Sequence, residues 1–185
     1  MPPLELCVGV SLNDIIGGRG DLHPQPAKRS RSGMSASGRA MPPNYEAYPQ
    51  PEWNSPTSIE AALSSMDQAT TEEASWAAYN DLLFAVGNNH AGTFYPVTVV
   101  VIPELCGRLS SGSRWTIHSA VNALIELCCS FEPEPGHAYF EGANVTDGIR
   151  AAALEHAALI EQVARDGNAA SQHARDLLEG LAEPD

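Results

Sequence analysis

Six histidines, four cysteines and twenty-three carboxylates are the side chains of this chain best equipped for chemistry. The vicinal pair Cys128-Cys129 would act as a redox centre if a nearby cation stabilised a thiolate. Its neighbours, Leu127-Cys128-Cys129-Ser130-Phe131, are apolar and include no base, so the pair is expected to be buried and inert. Four cysteines in 185 residues make no disulfide scaffold, and none has zinc-ligand spacing, so no metal is expected. Glu155-His156 and Glu161 fall on one predicted helix and could form a general acid–base pair. His118 follows Ile117 on another helix and is expected to be exposed or half-buried, with no metal role. The sequence has no nucleophile elbow, no phosphate-cradling glycine loop and no His-Glu-x-x-His helix. No catalytic residue and no cofactor is therefore assigned, and an enzyme stands only as a third reading.

A loop is more informative. Glu132-Pro133-Glu134-Pro135-Gly136-His137-Ala138-Tyr139-Phe140-Glu141-Gly142, running on to Asp147, surrounds two aromatics with four carboxylates in a proline-stiffened connection. Long connections without secondary structure of their own are often functional. Carboxylates around exposed aromatics suit a basic protein partner, with charge steering the encounter and the rings anchoring it. Glu132, Glu134, Tyr139, Phe140, Glu141 and Asp147 are the candidate contact residues, and the alternative is a solvated loop whose rings tuck back onto the helices. His90, in a Gly/Asn-rich loop, either caps that loop or joins the contact, while Tyr95-Pro96 is expected to fix a helix start and pack a ring.

The charge balance agrees with such a partner. The formal net charge is −13 and the pI is near 4.7. Residues 51–185 hold five arginines against nineteen carboxylates, leaving −14. A surface of that sign repels phosphate backbones and anionic lipid, so neither nucleic acid nor a membrane is an expected partner. No apolar run approaches the roughly 20 residues that cross a bilayer. Leu4–Leu12 is short, contains Glu5 and has no preceding base, so a secretory signal is not expected and the chain reads as cytoplasmic.

Elements that could position these residues begin at about Thr57. The stretch before it, from Gly17 to Pro56, is rich in Gly, Pro, Ser and Arg and is expected to be a disordered tail, with residues 1–56 outside the folded domain. Met34 and Met41 lie inside it and raise the alternative that translation starts there. Thr57-Ser58-Ile59-Glu60 and Thr70-Thr71-Glu72-Glu73 fit capping boxes ahead of apolar stripes, and Gly87-Asn88-Asn89 stops the second helix. Ile117, Val121, Leu124, Ile125 and Cys128 keep helical spacing, as do Ile149, Ala152, Ala153, His156, Ile160 and Val163. Ala170, Ala174, Leu177, Leu178 and Leu181 do likewise, with Asn168 as the N-cap after Gly167. Val97–Ile102 is β-branched throughout, which favours a strand. Pro96 and the spacing of Phe94, Val97, Val101, Leu105 and Leu109 favour a helix through a kink near Pro103, and a lone strand would lack a partner. The expected fold is all-α, with antiparallel hairpins pairing 57–67 with 71–86, 94–109 with 114–130, and 145–165 with 168–182. Three hairpins in a row read as a short α-solenoid over residues 57–185.

Trp76-Ala77-Ala78-Tyr79-Asn80-Asp81-Leu82, followed by Asn88-Asn89-His90-Ala91-Gly92-Thr93-Phe94-Tyr95-Pro96-Val97-Thr98 and Val101-Ile102-Pro103-Glu104-Leu105, resembles bacterial HEAT-like repeat proteins. In those a tryptophan-bearing helix leads to H-x-G-x-x-Y-x-A-T and then A-x-P-x-L. The resemblance covers roughly residues 70–130, with a looser echo at 149–182, and Val97, Val99 and Val100 stand where that pattern has alanines. Many such proteins resemble immunity proteins of polymorphic toxin systems. The resemblance therefore implies a HEAT-like protein-binding module that neutralises a cognate toxin, with the basic toxin domain of a secreted effector as partner. A HEAT-like structural adaptor in an endogenous complex is the second reading.

Overall fold

The computed structural model describes residues 43–183. Residues 1–42, with Met34 and Met41, lie outside the described residues, so the expected tail is placed only in its last part. There the expectation is corrected, because residues 43–56 are packed against the helices. Tyr45, in a single 3-10 turn, is buried, and its phenol is pushed up to about 12 by burial and then by Glu104 and Glu60. The Trp53 indole N–H donates to the Phe84 carbonyl at 3.1 Å, and the Asn54 amide donates to the Ala85 carbonyl at 2.6 Å. Tyr45, Tyr48 and Trp53 thus provide the apolar anchorage that the average composition of this proline-rich stretch conceals.

Seven α-helices follow among the described residues: α1 (Ser58–Gln68), α2 (Glu72–Val86), α3 (Thr98–Ser111), α4 (Arg114–Ile125), α5 (Val145–Leu154), α6 (Ala157–Arg165) and α7 (Ser171–Ala182). The described residues are mostly helical, as the periodicities predict. Ile59, Ala62, Leu63 and Met66 bury the stripe of α1, but Thr57 makes no side-chain cap there. Thr71 does cap α2, accepting from the Ala74 N–H at 3.1 Å. Asn168 lies three residues ahead of α7 and stabilises its approach, accepting from the Ala170 N–H at 2.8 Å.

The β-branched segment is helical from Thr98 onward, with Val101, Ile102, Leu105, Cys106 and Leu109 buried and Pro103 outside. Its first residues differ from the expectation. Thr93–Phe94 forms a two-residue strand, β2, antiparallel to β1 (Gly87–Asn88) and parallel to β3 (Glu132–Pro133). Val97–Ile102 itself needs no partner strand, because it enters the helix; the short strand lies just before it, with one partner about forty residues downstream. A second ladder joins β4 (Tyr139–Phe140) to β5 (Ala143–Asn144). The 145–165 stripe is also corrected: it is two helices, broken at Glu155-His156, because α5 packs on α3 whereas α6 packs on α7. Past Ile125, the last turn of 114–130 widens into a π-helical turn at Glu126–Ser130.

The packing is ordered along the chain. α1 and α2 pair and lean on α4, α3 pairs with α4, and α5 and α6 contact α3 while α7 contacts α4 and α6. Gly87 lies where β2 passes closest, and a Cβ there would sit 2.0 Å from the Thr93 carbonyl oxygen. Its φ of −168° is ordinary extended backbone, so the requirement is space. Gly107, inside α3, faces open space. Gly87→Ala should therefore lower the urea midpoint by an overpacking cost of about 1–3 kcal/mol. Gly107→Ala should raise stability by about 0.5–1 kcal/mol, since it only removes backbone freedom from a helix interior. Equal effects of the two would refute this account of the β1–β2 clasp.

Candidate functional site

The loop from 131 to 144 is an ordered structure. Glu132 N–H donates to the Gly92 carbonyl at 3.0 Å and Glu134 N–H to the Phe94 carbonyl at 2.8 Å, so β2 pins its first half. His137 N–H bonds the Glu134 carbonyl, and Val145 N–H bonds the Ala138 carbonyl, so the second half closes onto the start of α5. The Thr93 hydroxyl donates to the Glu134 carboxylate. Gly136 and Gly142 adopt φ of +89° and +84°, the left-handed turns that return the chain into β4 and out of the β4–β5 tip.

This framework sorts the candidate residues. Glu132, Tyr139, Glu141 and Asp147 are exposed, with Tyr139 at 66%. Phe140 instead tucks back, half-buried, against the Tyr48 ring at 5.3 Å. Glu134 is half-buried and engaged with Thr93, so it is a support of the loop more than a free contact. Asp147 sits in the first turn of α5, where Asn144 caps and the helix dipole favours a carboxylate. His90 is exposed in the turn between β1 and β2, which β3 brings alongside Glu132. It does not cap that turn: the Asn88 carbonyl does, accepting from the Ala91 and Gly92 N–H groups at 3.0 Å each. Tyr95 packs on the His137 ring at 4.9 Å, and its phenol is raised by burial and then by the carboxylates of Glu134 and Glu52. The acidic loop and the arm at Glu52 therefore act on one ring.

The possible acid–base group does not assemble. His156 Nδ1–H donates to the Ala152 carbonyl at 3.0 Å, and Glu161 pairs with Arg165 at 3.4 Å. Nor do the vicinal thiols match the expectation entirely: Cys128 is buried, its thiol pushed well up by burial, but Cys129 is exposed. Its sulfur packs where a Cβ on Gly180 would stand 2.6 Å away, and burial and nearby carboxylates raise its thiol too, although Arg150 opposes them.

His118 needs the largest correction. It is 5% exposed, its Nδ1 lies 2.8 Å from the Ser75 hydroxyl, and Trp76, Trp115 and His173 present their rings to it at 5.0, 5.7 and 5.9 Å. The Ser75 hydroxyl donates to the Trp115 carbonyl at 3.0 Å, so its oxygen accepts from His118 Nδ1–H. A serine activated by a histidine would donate the other way. Ser75 is moreover fully buried, and the pair is an internal clasp between α2 and α4. Helical spacing from Ile117 would place His118 beside the stripe; it missed the burial because α4 is enclosed on its other sides as well.

Among the described residues no group of three or more His, Cys, Asp and Glu side chains could hold a metal ion. No family model matches the chain, and no similar curated protein or solved structure is found.

Burial holds the His118 imidazole below the ordinary histidine range, with His173 and Arg114 adding to the depression and Glu72 opposing it. The folded state thus keeps His118 neutral, while the unfolded chain protonates it near the ordinary value of about 6.5. Its contribution is complete above that pH and is lost as pH falls below it. The difference in unfolding free energy between the wild type and His118→Asn should shrink between pH 7.5 and 5.5. A constant difference would contradict a buried neutral imidazole.

Proposed function

We propose that this protein acts by binding another protein, as a short HEAT-like α-solenoid and cytoplasmic immunity protein that neutralises the basic toxin domain of a secreted effector. The observation that carries the reading is the hydrogen-bonded loop along which Tyr139 and the carboxylates Glu132, Glu141 and Asp147 are all exposed. An anchoring ring held on a fixed backbone costs little entropy to immobilise on binding, and carboxylates around it accelerate encounter with a cationic surface. The ordered contacts between successive helical pairs support the solenoid form, since each pair in such a stack buries its stripe on its neighbours. No helix among the described residues is long and apolar enough to cross a membrane. Phosphate and lipid surfaces are disfavoured partners on charge.

A tagged protein recovered from native cells and washed at low and then high salt tests the proposal. The expected result is one basic domain, the C-terminal part of a large secreted protein, held in equimolar amount. The triple variant Glu132→Lys, Glu141→Lys and Asp147→Lys should then slow association at low salt by about tenfold or more. Recovery of housekeeping subunits would favour the adaptor reading, and an unchanged association rate would remove the loop from the interface.

A further inference from the structure

The arm and the first helical pair enclose a cleft that the sequence reading did not anticipate. It has a volume of about 260 Å³ and lies between Trp53 on the arm, Phe84 and Asp81 on α2, and the small side chains Ala61, Ala62 and Ser65 of α1. Trp53 and Phe84 are stacked, with centroids 5.2 Å apart and planes 27° from parallel. They nevertheless remain 47% and 49% exposed, among the most exposed large apolar side chains of the described residues. The Trp53 indole is held by the Phe84 carbonyl, so the pair is fixed before any ligand arrives. Asp81 precedes Phe84 by three residues on α2, which places its carboxylate on the same helix face as the ring.

Two properties define the occupant. Fixed aromatic faces beside a carboxylate suit a cation, which gains from the ring quadrupole and the negative charge together. No lysine or arginine lines the cleft, and Asp81 is its one carboxylate; Arg108, the arginine that reaches α1, is paired with Asp67. A planar guanidinium fits best, since it stacks on an aromatic face while pairing with a carboxylate. We infer that the Trp53–Phe84–Asp81 cleft receives an arginine side chain of the partner protein. The inference rests on the basic-partner reading above and adds to it a second contact point outside the 131–144 loop.

The probe is a capped Gly/Arg repeat peptide titrated into the full-length protein, followed by the indole N–H resonances of Trp53, Trp76 and Trp115. The Trp53 signal should move saturably, ahead of the other two. Asp81→Asn, at an exposed position, should weaken that response by about two- to fivefold, as an exposed cation–aromatic contact would. Ser65→Phe, which fills the cleft, should abolish it; if that variant does not fold, Asp81→Asn alone decides. The inference is overturned by a response without saturation, by one unchanged in Asp81→Asn, or by spermine acting as strongly as the peptide, which would mean diffuse adsorption of cations. The two readings fail separately. A partner captured normally by Asp81→Asn but lost by the loop variant overturns the cleft alone, whereas a cleft that binds the peptide in a protein capturing no basic partner overturns the broader reading alone.

Discussion

α4 is enclosed by α1, α2, α3 and α7, and from Thr116 to Leu124 every residue except Ile117 is buried. A helix in that position cannot leave a polar group unmatched, because each orphan would cost about 1–3 kcal/mol. Each polar side chain is answered locally. Thr116 donates to the Met66 carbonyl at the end of α1, Ser119 to carbonyls of its own preceding turn, and Asn122 to the His118 carbonyl. His118 uses Ser75 of α2. Ser119, Ala120 and Ala123 are small, which lets surrounding helices approach closely. The same contacts that satisfy α4 therefore fix α1 and α2 against it.

This inner rigidity is passed to the surface by short ladders. β1 leaves α2 at Gly87, β2 leads into α3, and β3 begins the long loop, so a tight hairpin and a segment about forty residues downstream meet at one edge. Glu134 is drawn inward to Thr93 and Phe140 to Tyr48, which leaves Tyr139 and its neighbouring carboxylates outward. The arm over residues 43–56 joins this side through Tyr48, which packs on Phe140, and through Glu52, which acts with Glu134 on Tyr95. Arginines serve elsewhere: Arg108 bridges to Asp67, and Arg150 reaches the carbonyls of Gly180, Leu181 and Glu183 at the end of α7.

Much of the helical layout was legible because stripe and stop signals coincide. α2 ends at Val86, where glycine follows, and α1 buries the four residues its spacing marks. The misreadings share a cause, since each depended on a contact distant in sequence. Thr93–Phe94 is too short to mark as a strand, and its hairpin with Gly87–Asn88 is held from the other side by Glu132–Pro133, about forty residues downstream. The stripe from Ile149 to Val163 continues across the break at Glu155-His156 without glycine or proline, and only the two different packing partners reveal it. Composition averaged from Gly17 to Pro56 hid Tyr45 and Trp53, and with them the cleft. Of the candidate site, the charges and Tyr139 were legible from residue type. The inward turn of Phe140 and Glu134 was not, because it is decided by Tyr48 and Thr93.

The most direct test of the central claim, that the acidic aromatic side is where a basic protein docks, is site-specific photo-crosslinking in native cells. A photoreactive residue would replace Tyr139 in one strain and Arg165, at the arginine-bearing end of α6, in another. The account predicts a single covalent adduct at position 139, to a protein domain of high pI, and none at position 165. An adduct only at 165, or one at 139 to an acidic protein, would contradict it.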